Sequence, residues 1–186
     1  MDMFLYNLRR FGRDEAGTLV AESVLVLPFM LWSYLALFVY WDSYRSVNTV
    51  QKAAYTISDM ISREMVPVTE NYINGMDTIL EYLIDADQDA KLRVSSIRWS
   101  ELNNRYEVMW SRSPGNAMIR LTTATVAGIA SKLPNLADGD YVVLVEVDVN
   151  YHAAFNVGIN DQSLKQFIVT RPRFVMPVCL VGAPCT

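Results

Sequence analysis

The residue best placed to do chemistry is a carboxylate, Glu22, at the edge of a long apolar segment. Residues 23–41 carry no charge, and Gly17 and a group of basic residues stand before Glu22. A charged side chain in hydrocarbon costs roughly 2.5 kcal/mol or more and is usually functional. Glu22 therefore requires a functional explanation, and the alternative is a side chain that extends to the membrane interface and has no partner.

The other polar residues form no catalytic constellation. His152 is the only histidine, and a structural or surface role is favoured for it over that of a general base. No glycine-rich phosphate loop, histidine-based metal set or Ser/His/Asp arrangement can be built from the chain. Asp138 and Asp140 flank Gly139 in a predicted turn. We expect no enzymatic activity, no cofactor and no metal.

Acidic residues cluster at Glu81, Asp85, Asp87 and Asp89. A solvated helix face and loop is favoured, because the downstream glycine and glutamate of a calcium loop are missing. The overall charge argues against nucleic acid as a partner. Sixteen basic residues are scattered among twenty acidic ones, the net charge is −4, and there is no Lys/Arg-rich run.

Two cysteines, Cys179 and Cys185, stand near the C-terminus. A close pair in an exported domain suggests a small disulfide loop, and two free thiols in a reducing compartment are the alternative. The preceding segment looks like an export anchor, which favours the disulfide. Zinc is not expected, since His152 is far away and no further cysteine or histidine exists.

The apolar segment has the length of a membrane-spanning helix. Its 19 residues correspond to about 28 Å of helix, close to the roughly 30 Å hydrocarbon core. Tyr40 and Trp41 mark an interface, and the excess of basic residues before the segment places the N-terminus in the cytoplasm. Pro28 removes a backbone donor and predicts a local kink. A secretory signal peptide would have a shorter apolar core and a small-x-small cleavage signal.

The basic leader, Gly17, Glu22 and the apolar helix together resemble a type IV prepilin processing signal. Residues 13–28, RDEAGTLVAESVLVLP, are similar to the opening of the TadE/TadF-like minor pilins, or pseudopilins, of the bacterial tight-adherence (Flp) pilus system. The similarity is strongest over residues 9–60, and a weaker echo lies at residues 133–140.

This resemblance implies cleavage after Gly17 by a membrane aspartic prepilin peptidase, which leaves Thr18 as the new N-terminus. It implies that Glu22 faces the free amine of a neighbouring subunit and sets the axial register, with Pro28 giving the helix compliance. The implied partners are the bacterial inner membrane, the prepilin peptidase, other pilins and the pilus assembly platform.

The implied function is that of a minor pilin that primes, caps or modifies an adhesion pilus. The alternative is an uncleaved, single-pass membrane-anchored periplasmic binding or scaffold protein, which leaves Gly17 and Glu22 unexplained. The expected organisation is a cytoplasmic leader (1–17), a transmembrane helix (18–41), its periplasmic continuation (42–66) and a periplasmic α+β domain (67–186).

Beyond the membrane segment, an apolar stripe extends the helix to about Met65. The stripe consists of Tyr44, Val47, Val50, Ala54, Ile57 and Ile61. We expect it to pack on the protein's own sheet or on a partner helix.

The remaining elements follow from periodicity and turn residues. They are a helix at 69–84, a hairpin of strands 92–100 and 105–112 with a bulge near Ser95-Ser96, a helix at 117–133, a strand at 141–151, and a last strand at 166–176 that Pro172 places near an edge. A long helix followed by a mostly antiparallel sheet with short helices predicts an α+β fold.

Overall fold

The computed structural model describes residues 16–84, 89–174 and 177–185. The chain forms two compact units. The first contains residues 16–42 together with the loop of residues 153–159. The second contains residues 43–152 and the chain from Asn160 onward.

The first helix, α1 (Ala16–Ser62), has 47 residues and contains Pro28. It ends three residues before the predicted Met65. The N–H groups of Arg63 and Glu64 donate to carbonyls only three residues back, and this tighter final turn closes the helix.

Within the second unit, one stripe of α1 is fully buried: Val50, Ala53, Ala54, Ile57 and Ile61. Ser58 Oγ lies 2.6 Å from Thr170 Oγ1, and the Ser62 carbonyl accepts from Arg173 N–H at 2.8 Å. The predicted stripe therefore packs on its own domain over this half, whereas Tyr44, its first predicted member, is exposed.

The second helix, α2 (Glu70–Leu83), begins at an N-cap threonine. Thr69 Oγ1 accepts a hydrogen bond from the Tyr72 N–H at 3.1 Å, which satisfies one of the free donors of the first turn. The helix buries Ile73, Met76 and Leu80 and packs on the first strand.

Four antiparallel strands form one sheet in the order β2-β1-β3-β4. They are β1 (Ala90–Ser100), β2 (Arg105–Arg112), β3 (Tyr141–Tyr151) and β4 (Gln162–Thr170). Ser96 pairs with Trp110 whereas Ile97 pairs with Val108. Met109 is therefore the extra residue of a bulge, which lies on β2 opposite Ser96-Ile97 rather than on β1 as predicted.

Two predicted elements have wrong bounds. The last strand covers Gln162–Thr170 rather than 166–176, because its pairing follows β3 to Tyr151 and stops before Pro172, which has no N–H. The position at an edge is confirmed. The helix predicted at 117–133 is helical only from α3 (Thr123–Val126) through a 3₁₀ helix (Ala127–Lys132), because Thr122 adopts extended geometry and caps α3 there.

Both faces of the sheet are covered. On one face Ile97, Val142 and Leu144 form a core with Leu121, Val126 and Leu133. On the other face Val143, Val145, Val147 and Val149 are fully buried, and the α1 contact at Thr170 belongs to this face because Thr170 pairs with Val143. The second unit is an α+β layer structure, as predicted.

Candidate functional site

The candidate site is the N-terminal half of α1, where apolar residues face outward on every side. Residues 20–32 are all exposed. The run Val24, Leu25, Val26 and Leu27 covers nearly the full circumference, since successive residues turn by about 100°. Within the described residues, one helix is long and apolar enough to cross a membrane by its length and composition.

Gly17, Thr18 and Glu22 lie at the beginning of this helix. Thr18 precedes Glu22 by four residues, about one turn of the helix. A Cβ added to Gly17 would meet no atom within 4 Å. Glu22 is exposed, and in the part of the chain that the structure describes it makes no hydrogen bond or ion pair.

Pro28 lies inside α1 without ending it. Proline has no N–H, so the carbonyl of Val24, four residues earlier, loses its usual helical donor. The helix is weakened at this turn by one backbone hydrogen bond. The predicted local compliance stays a prediction.

The loop of residues 153–159 belongs to the same unit as this helix half. The ring of Phe155 lies edge-on to the ring of Phe38, with 6.4 Å between the centroids. Sequence reasoning missed this loop. The sequence feature that marks the loop is an uncharged, mostly apolar run between two strands. The run is too short to show the hydrophobic periodicity of a helix or a strand.

The C-terminal segment contains the predicted disulfide between Cys179 and Cys185. Leu180 forms a parallel bridge with Val68, and the Val178 carbonyl accepts a hydrogen bond from Trp110 Nε1 at 2.8 Å. The disulfide therefore closes a tail that is already attached to the domain at two places.

Two ion pairs link β1 to its neighbouring strands in the sheet. Arg93 Nε donates to Glu146 at 2.6 Å, and Arg98 Nη2 donates to Glu107 at 2.8 Å. The hydrogen bond from Arg98 holds the pKa of Glu107 below its usual range and raises the pKa of Arg98. Paired charges of this kind position strands.

The remaining sequence candidates have structural partners. His152 Nδ1 lies 2.8 Å from Asp161 Oδ2 at the surface. In the turn at Gly139, Asp138 accepts from the Glu101 N–H, and Asp140 pairs with Arg171 at 3.0 Å.

Of the acidic cluster, Asp85 and Asp87 lie outside the described residues, while Glu81 and Asp89 are exposed. Among the described residues, no group of three or more His, Cys, Asp or Glu side chains is arranged to hold a metal ion.

A groove of about 550 Å³ lies beside the β1–β2 hairpin, where Trp99 and Tyr106 form an edge-to-face pair with centroids 4.8 Å apart. Arg105, Asn104 and Asn135 line it as well. None of its described lining residues is a carboxylate, histidine or cysteine.

Comparison of the chain with known protein families, with curated proteins and with solved structures found no significant match.

Proposed function

We propose that this chain is a membrane-anchored assembly subunit of the minor-pilin (pseudopilin) kind, cleaved after Gly17 and joined to other subunits through the apolar half of α1. One observation carries the proposal. A helix that is apolar and exposed on every side over residues 20–32 begins at the Gly17–Glu22 arrangement that resembles a TadE/TadF-like prepilin signal.

Exposure on every side favours lipid or a helix bundle as the surroundings of this half. A helix that is hydrophobic all round needs either a protein core or a membrane, and among the described residues none covers a face of residues 20–32. Residues 23–41 match the thickness of the hydrocarbon core. The C-terminal domain then lies in the periplasm, on the side away from the basic leader.

A simple anchor explains the length of the helix but leaves the charge of Glu22 without compensation. Cleavage after Gly17 creates an amine at Thr18, four residues from Glu22 on the same helix face. A neighbouring helix shifted along the bundle axis would bring its own amine beside this carboxylate. The pair of carboxylate and amine stabilises the one axial offset between neighbouring helices at which the two groups meet, because either charge alone in lipid is costly.

The test is to neutralise Glu22 and follow cleavage and assembly separately. Glu22→Gln preserves shape, and Glu22→Ala removes the side chain. We expect both variants to be cleaved normally, since the peptide bond after Gly17 is unchanged, and to lose most of their recovery in sheared fibres and in complexes with other pilins.

Gln51→Ala is the control, because Gln51 is exposed on α1 beyond the apolar segment and its replacement changes no charge. It should assemble like the wild type. Normal piliation by Glu22→Gln and Glu22→Ala would show that the carboxylate does not set the register.

A further inference from the structure

The loop between β3 and β4 has an apolar tip. Residues 153–159 read Ala-Ala-Phe-Asn-Val-Gly-Ile and carry no charge. Phe155 is about half exposed, at 47%. The Val157 N–H donates to the Phe155 carbonyl at 3.1 Å, and Gly158 takes a left-handed backbone conformation with φ of 107°, which glycine adopts without strain. The tip is a tight turn that presents a phenylalanine.

The base of the same loop is polar. His152 and Asp161 pair across it at 2.8 Å, and both side chains are largely exposed. An apolar tip on a polar neck suits a boundary between water and an apolar medium, where each part meets its preferred surroundings.

The contact with Phe38 gives the level of the tip along α1. Phe38 stands four residues before Asp42, the first charge after the apolar segment, so the two lie about 6 Å apart along the helix axis. Tyr40 and Trp41, between them, are residue types that concentrate at membrane interfaces. The Phe155 ring, in contact with Phe38, is therefore level with the boundary between acyl chains and headgroups.

We propose that the loop of residues 153–159 inserts into the outer interface of the bilayer, as a second and non-helical membrane contact. The inference depends on the proposed membrane-spanning role of α1. A lipid surface is the occupant because the loop belongs to the same compact unit as the helix up to Asp42 and touches it at Phe38. Whatever surrounds the helix at this level also surrounds the loop. Insertion is shallow, since irregular backbone needs partners that hydrocarbon does not supply.

The experiment uses the full chain reconstituted in vesicles of phosphatidylethanolamine and phosphatidylglycerol. Because Cys179 and Cys185 are joined in a disulfide, an introduced cysteine is the single free thiol and accepts an environment-sensitive fluorophore. The test positions are Phe155→Cys and Val157→Cys. Leu102→Cys, in the β1–β2 turn and 94% exposed, is the aqueous control, and Leu31→Cys is the control for the membrane helix.

Each label is quenched by a water-soluble cobalt complex and, separately, by nitroxide lipids with shallow or deep spin labels. We expect the labels at positions 155 and 157 to resist cobalt several-fold better than the label at 102. Shallow nitroxides should quench them more than deep ones. The label at 31 should respond most strongly to deep nitroxides.

Three results would overturn the inference. If positions 155 and 157 behave like 102 while 31 is quenched by lipid, the loop is aqueous and the membrane helix survives. If position 31 is also aqueous, the proposed function fails and this inference fails with it. If protection of 155 disappears as protein is diluted in the vesicles, a second copy covers the loop instead of lipid.

Discussion

At the scale of single residues, Asp77 is a carboxylate whose surroundings disfavour its charge. It lies partly buried on α2, one turn before Glu81. Burial and then the like charge of Glu81 raise the pKa of Asp77 from 3.8 to about 6. The folded protein thus holds this proton more tightly than the unfolded chain does, so the stabilisation is complete below about pH 4 and is lost as the pH rises to about 6.

Asp77→Asn should therefore raise the melting temperature at neutral pH and flatten its fall between pH 4 and pH 6, measured on the full chain in detergent. Glu81→Gln removes the neighbouring charge but leaves Asp77 buried. It should therefore flatten the fall of the melting temperature between pH 4 and pH 6 by less than Asp77→Asn does. An unchanged pH profile in Asp77→Asn would show that another group causes the dependence.

Glu22 and Gly17 represent a different case at the same scale. Their residue types and spacing were sufficient to identify them from the sequence. A carboxylate at the edge of a long uncharged segment, five residues after a glycine, is unusual whatever the fold of the rest of the chain. The structure adds that Glu22 and Thr18 lie on one helical segment, which the pairing of a carboxylate with a neighbour's amine requires.

At the scale of elements, the two halves of α1 differ in what surrounds them. Ile57 is fully buried in the second unit, whereas residues 20–32 are exposed. Ile57→Ala should lower the free energy of unfolding by about 2–5 kcal/mol through lost burial and a residual cavity. The control Gln51→Ala, at an exposed position of the same helix, should stay within about 0.5 kcal/mol.

Thermal and urea unfolding followed by circular dichroism would measure both variants. Equal stability of Ile57→Ala and Gln51→Ala would contradict the packing of this helix half on the sheet.

The C-terminal tail is a second element with a testable role. Its disulfide closes a loop over six positions in sequence, so replacing both cysteines by serine should cost at most about 3 kcal/mol. Trp110, which donates to Val178, should then become more accessible to acrylamide. Trp110→Phe identifies the part of the fluorescence signal that belongs to this tryptophan. Unchanged stability and unchanged quenching in the serine variant would show that the tail docks without the disulfide.

The bounds of helices and strands were predictable from sequence where one local feature, such as apolar alternation or a capping residue, dominated the segment. The bounds of β3 match because every second residue from Tyr141 to Tyr151 is apolar after the Gly139-Asp140 turn, and the start of α2 matches because Thr69 caps it. The start of β4 was missed because Gln162–Lys165 shows no clear alternation and is strand only through pairing with β3. The loop at Phe155 was missed for a related reason, since its meaning comes from a contact with Phe38, far away in sequence.

At the scale of the whole molecule, one continuous helix, α1, joins an apolar segment of membrane-spanning length to an α+β domain. The first unit supplies the apolar surface and, in our proposal, the interfacial loop. The second unit supplies a domain with ion pairs between its strands and a groove beside the β1–β2 hairpin. In the proposed assembly subunit, the helix would provide the common packing surface and the domain would provide the contacts that distinguish one subunit from another.

The central claim is that the mature chain begins with a free amine at Thr18, and the intact mass of the membrane-extracted protein tests it most directly. The account predicts the mass of a chain starting at Thr18 for the wild type and a retained leader for Gly17→Leu. Because a Cβ at Gly17 meets no atom within 4 Å, retention in this variant reports recognition by the peptidase rather than misfolding. A wild-type mass that includes residues 1–17 would contradict the account and would indicate an uncleaved, membrane-anchored periplasmic module.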